Sequence, residues 1–375
     1  MSFRSFLGNK YHPLNSIELS RSALINNFSY LAKIDKELNI VPVLKSNAYG
    51  HGLIQVAKAL DKLNAAYFCV DSLYEAYELL NHNIKTPVLI LGYVDPENLK
   101  IKKLPFSYAV SSMDMIEAIS KYQSHAGIHI FVDTGMSREG IRIEELATFL
   151  DYIKSFGNMR VDGLMSHLAA SEKFDNSKTT RQVKNFKKAQ LICSTAGIFP
   201  KWVHLGNSSA VLNYRKYKKK IGNLARCGIA IYGIDPEKVN TKLQPALEFK
   251  TKINQVKNIL KGEGIGYNFT YIAKKKMTIG VLPVGYFDGV DRRLSNSGFV
   301  TVNNQLCPVI GRVSMNITLI DLSNIKSPSV GDSVVVYSNK IKEKNSILSA
   351  SRLCQTIPYD LLVGLASTTK RSVLN

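Results

Sequence analysis

Cysteine is scarce and unpatterned. The 375 residues hold five, Cys69, Cys193, Cys227, Cys307 and Cys354, and no Cys-x-x-Cys pair. An odd number of scattered thiols suggests neither a disulfide frame nor a zinc site, and it reads as free thiols in a reducing compartment. Long apolar runs are missing too. No stretch approaches the roughly 20 residues that cross a bilayer, and the opening Met1-Ser2-Phe3-Arg4-Ser5-Phe6 lacks the apolar centre of a secretory signal. A cytoplasmic address with no membrane partner is the expectation. Acidic residues are also short, 29 against 49 lysines and arginines, which leaves a formal charge of +20. Such an excess is a common footprint of nucleic-acid binding. Here the lysines are spread along the chain, and the one tight cluster is Arg215-Lys216-Tyr217-Lys218-Lys219-Lys220. A short charge run is more often a solvated face, so no nucleic-acid partner is expected.

Apolar residues make up 45% of the chain, enough for two packed domains at this length. From about residue 40 to 230, short β-branched runs alternate with segments of helical period, the mark of repeated βα units around a parallel sheet. The expected strands are 41–44, 66–70, 87–91, 108–110, 128–132, 163–166, 202–205 and 225–229. Eight is the count at which such a sheet closes into a (β/α)8 barrel of the TIM type. Helical segments are expected at 72–80, where Leu73, Ala76, Tyr77 and Leu80 share a face, and at 184–196. After about residue 240 the helical period disappears. Segment 248–256 alternates, and apolar runs at 278–283, 299–302, 318–322 and 333–337 are separated by turn residues, with one helix near 347–354. The chain therefore reads as an α/β protein, a barrel over 1–240 followed by a mostly β domain over 241–375.

The most informative segment is Val43-Leu44-Lys45-Ser46-Asn47-Ala48-Tyr49-Gly50-His51-Gly52. A lysine where an apolar strand ends, followed by small residues leading into a helix, sits at the mouth of a barrel, where barrel enzymes keep their chemistry. An amine shielded from water there can attack an aldehyde. Read alone, Lys45 is better taken as an exposed charge at a strand end; the ten-residue string reverses that balance. Four further segments stand at the ends of expected strands: Asp133-Thr134-Gly135-Met136-Ser137-Arg138, Ser166-His167, Gly206-Asn207-Ser208 and Arg226-Cys227-Gly228-Ile229. Barrels recurrently bind phosphate at the loops after strands seven and eight, which nominates Ser208 and the amides of Gly228 and Ile229, with Asn207 nearby.

The string Lys-Ser-Asn-Ala-Tyr-Gly-His-Gly resembles the cofactor-lysine signature of the alanine racemase family, pyridoxal 5′-phosphate enzymes built as a barrel plus a β domain. The likeness runs in order through Ser314 and continues more thinly to Tyr359. It implies that Lys45 forms a Schiff base with the cofactor and that Tyr49 and Tyr359 reach its phosphate. By the same pattern His167 lies against the pyridine ring, and Arg226 donates a hydrogen bond to the ring nitrogen. Arg138 and the Met315 amide are implied to meet the substrate carboxylate, and Tyr286 and Arg312 to line the entrance. Tyr267, in Gly264-Ile265-Gly266-Tyr267-Asn268, is implied as the second base, delivered by the other subunit of a homodimer. The implied reaction interconverts L- and D-alanine and supplies D-alanine for peptidoglycan. Rival readings are a broader small-amino-acid racemase, a barrel-type pyridoxal-phosphate decarboxylase, and a non-catalytic pyridoxal-phosphate-binding protein. An arginine at 226 where decarboxylases of this architecture favour an acid argues against the second, and a β domain of about 130 residues against the third. Two positions depart from the family. Phe131 stands where many members carry a lysine that takes up carbon dioxide and orients the motif arginine, and Asn316 replaces the usual acid. Asp133, Glu139 or a bound anion are the candidates to anchor Arg138.

Overall fold

The computed structural model describes residues 12–171 and 177–375. The opening segment 1–11 and the side chains of Arg215, Lys216, Lys218 and Lys219 in the basic run lie outside the described residues. Two compact units are present, one formed by 23–49 and 56–243, the other by 12–22, 50–55 and 244–375.

The first unit is the expected barrel. Strands Phe68–Val70, Val88–Ile90, Phe106–Val110, Gly127–Asp133, Arg160–Met165 and Trp202–His204 pair in that order, all parallel. The chain continues past Leu205 into Gly206–Asn207, which pairs with Leu224–Cys227, and that strand pairs with Asn39–Pro42. A parallel bridge from Val43 to Cys69 closes the ring of eight. The observed strands lie within a few residues of the expected ones, shifted where the apolar run outlasts the ladder. Helix Leu73–Asn81 starts at Ser72, whose side chain accepts the Glu75 N–H, and buries Ala76 and Leu79. Inside the barrel, Val41, Val43, Tyr67, Cys69, Leu89 and Leu224 form one apolar cluster, so the interior is a packed core.

In the second unit a six-stranded sheet runs in the order Gln305–Pro308, Phe299–Val302, Ser333–Tyr337, Leu247–Lys252, Ser16–Ser20 and Lys370–Leu374. The segment expected to alternate over 248–256 is two strands, Leu247–Lys252 and Gln255–Ile259, in different sheets. The switch falls between them, where the Ile253 N–H bonds to the Asp332 carbonyl and the Asn254 N–H to the Val281 carbonyl. The stretch before residue 22, counted with the barrel from sequence, also pairs here. Ser16–Ser20 lies antiparallel to Leu247–Lys252 and parallel to Lys370–Leu374. Its alternation carries the reason, since Ile17 and Leu19 are fully buried on one face, worth about 1.5–3 kcal/mol each. Among the described residues no helix is long and apolar enough to cross a membrane.

Candidate active site

Lys45 follows directly on the first barrel strand, and the backbone after it is unusual. Ser46, Asn47, Ala48 and Tyr49 all have φ between 52° and 55°, and Gly50 has φ 75°. Left-handed backbone costs an L-residue about 1–2 kcal/mol, so four in succession persist only where the surroundings hold them. The Ala48 N–H bonds to the Leu44 carbonyl at 2.7 Å, and the Asn47 N–H to the Glu75 carboxylate at 3.3 Å. Gly50 is required for a second reason, because a Cβ there would lie 1.9 Å from the Leu362 carbonyl oxygen. The Lys45 Nζ donates to Asp71 Oδ1 at 2.9 Å.

The turn delivers Tyr49 into the barrel mouth, its ring 5.2 Å from that of Tyr232. Burial, then the nearby Cys69, Asp71 and Cys227, push its hydroxyl up to about 12, so it stays protonated and able to donate. Gly228 makes this approach possible, since a Cβ there would lie 2.5 Å from the Tyr49 hydroxyl oxygen. Ser208, nearly fully buried, accepts the N–H groups of Gly228 at 3.1 Å and Ala230 at 3.3 Å. Asn207 caps helix Ser208–Leu212 by accepting the Ala210 N–H, and the Ile229 side chain is buried.

Beside this cradle runs a buried polar chain. Arg226 donates to His204 Nδ1 at 2.8 Å, to the His204 carbonyl at 3.0 Å, to the Ser166 carbonyl at 2.6 Å and to His167 Nδ1 at 3.2 Å. His204 Nε2 lies 2.8 Å from His129 Nδ1. Guanidinium only donates, which fixes every tautomer behind it. His204 must accept at Nδ1 and carry its proton on Nε2, and His129 must accept at Nδ1 and carry its proton on Nε2, an atom without a partner among the described residues. Gly163 leaves the room, since a Cβ there would lie 2.0 Å from His129 Nδ1. Burial lowers Arg226 only to about 10, so it remains charged at neutral pH.

Burial, followed by the charge of Arg226, lowers His129 to about 3; for His167, burial, Arg226, Arg138 and Lys45 in that order also lower it to about 3. Both rings are neutral in the fold, whereas the unfolded chain takes up their protons below about pH 6.5. Stability should therefore be complete above that value and fall as pH drops from about 6.5 toward 3, because the unfolded state binds more protons in that window. For His129 alone the loss at about pH 5 is on the order of 2 kcal/mol. Urea unfolding at neutral pH and near pH 5 should show this, with a smaller difference in His129→Gln. An identical difference in the variant would clear His129 of the effect.

Arg138 and His167 share a small cleft with Phe131, Asp133, Met136, Glu139 and Ser166. The Asp133 carboxylate is already occupied by the N–H groups of Gly135, Met136 and Ser137. Glu139 is the acid that reaches Arg138, 3.3 Å from its Nε, both side chains about half exposed. Phe131 is buried.

In the second unit Tyr267, Tyr286, Arg312 and Met315 line one open cavity of about 490 Å³ together with Asn268, Arg292, Val313 and Ser314. Tyr267 is 68% exposed, its cavity neighbours Tyr286 and Met315 are exposed too, and so are Phe269, Ile272, Phe287 and Ile317 in the same unit. Tyr359 is half-buried in helix Pro358–Val363, and Asn316 is exposed. Sequence reasoning missed His129 and His204, which read as ordinary strand residues, and Arg292. It also missed Asp71 and Glu75, although Ser72-x-x-Glu75 has the spacing of a capping box.

Known proteins match nearly the whole chain. The family description "Alanine racemase, N-terminal domain" matches residues 19–236, and "Alanine racemase, C-terminal domain" matches 246–373. The alanine racemase of Halothermothrix orenii is 33% identical over 370 residues, 96% of each chain. That of Borreliella burgdorferi is 32% identical, covering 96% of this chain and 97% of its own. Among solved structures, Bacillus anthracis alanine racemase with bound L-Ala-P has a TM-score of 0.88 at 29% identity, over 97% of this chain and 96% of that one. Bartonella henselae alanine racemase with covalently bound pyridoxal phosphate has a TM-score of 0.85 at 25% identity, over 97% and 100%. The chain belongs to the alanine racemase family.

Proposed function

We propose that the chain interconverts L- and D-alanine with pyridoxal 5′-phosphate held by Lys45, and that it works in the cytoplasm as a homodimer, with no nucleic-acid or membrane partner. The residues fit the cofactor. A hydroxyl that stays protonated on Tyr49 meets the Gly228 backbone where the missing side chain leaves space, and Ser208, whose oxygen accepts the Gly228 and Ala230 N–H groups, keeps its own O–H to donate, two donors suited to a phosphate. Asn207 and the Ile229 amide complete that rim, and Tyr359 adds a further hydroxyl. When bound, the cofactor withdraws electrons from the substrate α-carbon so that its proton can leave.

Racemisation needs a base on each face of that carbon. Lys45 serves the D-isomer and Tyr267 of the partner subunit the L-isomer. The observation that carries the reading is the Arg226 cluster. Arg226 is charged, buried and committed to donors-only geometry among neutral histidines, so it offers the ring nitrogen a hydrogen bond but not a proton. Arg226 would thereby favour simple return of a proton over other fates of the substrate. His167 lies beside Arg226 and would rest against the ring. Arg138, held by Glu139, would receive the substrate carboxylate together with the Met315 amide of the partner subunit, and Tyr286 and Arg312, which share a cavity with Tyr267 and Met315, would come with them and narrow the approach. The exposed Tyr267, Tyr286 and Met315 lining one open cavity support the dimer, since exposed apolar groups gathered together mark association surfaces.

Borohydride treatment of the purified protein should fix the cofactor to Lys45 and bleach its near-violet absorption. Peptide mapping that finds the label on another lysine would overturn the assignment.

A further inference from the structure

Asp71 has no role in the reading above, yet its carboxylate is the acceptor for the Lys45 amine, Oδ1 to Nζ 2.9 Å. Both side chains are substantially exposed, 37% for Lys45 and 54% for Asp71. A pair so exposed contributes about 0–1 kcal/mol, so stability is a poor reason for the arrangement. The backbone of Asp71 is nonetheless clamped on both sides. Its N–H donates to Glu75 Oε2 at 2.9 Å, and its carbonyl accepts the Gly92 N–H at 2.9 Å. Gly92 has no alternative, because a Cβ there would lie 2.4 Å from the Asp71 carbonyl oxygen. The other oxygen of Glu75 accepts the Asn47 N–H at 3.3 Å. One carboxylate therefore ties the left-handed turn that carries Lys45 to the strand end that carries Asp71. Ser72 anchors Glu75 in turn by accepting its N–H at 3.2 Å.

We propose that Asp71 is a positioning residue for Lys45. Its carboxylate holds the amine whenever Nζ is not bonded to the cofactor, keeping it at the place from which it takes or returns the α-proton. The inference rests on Lys45 as the base for D-alanine and extends that reading to a residue two elements away in sequence. Geometry gives it a specific signature. Tyr267 does not depend on where the released lysine waits, so loss of Asp71 should harm one direction of proton exchange more than the other.

The test uses the holoenzyme and the cofactor-stripped protein. In deuterated water, Asp71→Ala should exchange the α-proton of D-alanine roughly tenfold more slowly than wild type, with L-alanine exchange within about twofold. Asp71→Glu should recover most of the difference. In the cofactor-stripped protein, limited reductive methylation followed by peptide mass mapping should find Lys45 modified several-fold faster in Asp71→Ala, relative to the other lysines of the same chain. Equal slowing for both isomers, or an unchanged Lys45 methylation rate, would overturn the proposal. A borohydride label on a different lysine would instead overturn the reading of Lys45, which keeps the two failures distinct.

Discussion

Tyr267→Phe is expected to slow α-proton exchange from L-alanine by roughly 10²- to 10⁴-fold, the range for losing a positioned general base, while D-alanine still exchanges through Lys45. The substitution removes one oxygen from a side chain that is 68% exposed, so the fold should be unaffected and the thermal midpoint should hold. Exchange is measured separately for each isomer in deuterated water by loss of the α-proton resonance. A second measurement tests where the tyrosine comes from. Lys45→Ala and Tyr267→Phe chains, each inactive alone, should regain activity when co-refolded, because one of the two composite sites then receives both intact groups. Equal loss for the two isomers would contradict opposing bases. Absence of complementation in a verified mixed dimer would contradict a shared site.

Arg226→Glu should have the largest combined effect on stability and chemistry. The guanidinium supplies four hydrogen bonds, to His204 Nδ1, the His204 carbonyl, the Ser166 carbonyl and His167 Nδ1, and a carboxylate can donate none of them. Each buried acceptor left without a donor costs about 1–3 kcal/mol, so a fall in thermal midpoint is expected. With an acid facing the ring nitrogen the nitrogen would hold a proton, negative charge would persist longer on the ring, and the amino group would transfer more often. Racemase turnover should fall by about 10²- to 10³-fold, the scale of losing a preorganised electrostatic contact. Pyruvate should accumulate as the cofactor is converted to its amine form. Arg226→Lys keeps a donor and a positive charge, and should form less pyruvate than the glutamate variant. If both variants racemise slowly with no rise in pyruvate, the arginine acts through packing and not through the ring nitrogen.

The barrel was legible because its strands are short apolar runs and the spacing between them suits one helix each. The strand Ser16–Ser20 was not, since a lone five-residue alternation gives no sign that its partners lie beyond residue 246 and residue 369. At the site, Lys45, Tyr49 and Arg138 could be read from contiguous strings. Asp71 could not, because a single acid before a helix cap looks like any solvated turn, and only the closed ring brings it to Lys45. The histidine chain was hidden for the same reason. His129 and His204 are 75 residues apart and meet only across the barrel interior. Phe131 was visible as a departure from family pattern, but which acid reaches Arg138 depended on the backbone hydrogen bonds that occupy Asp133.

The pairing of Ser16–Ser20 between Leu247–Lys252 and Lys370–Leu374 sets a schedule for the growing chain. The strand is synthesised ahead of the barrel, yet its antiparallel neighbour Leu247–Lys252 follows only after the barrel strands have been made. At about 5–20 residues per second, the interval is on the order of tens of seconds. Through that time Ile17 and Leu19, later buried, stay on a strand with both edges open. An alternating, uncovered strand of this kind is a template for pairing with other chains, so a nascent-chain chaperone has its clearest task at this strand. Lower translation rates should lengthen the exposure, and expression yield should respond to Ile17 and Leu19 more than their share of the core would suggest.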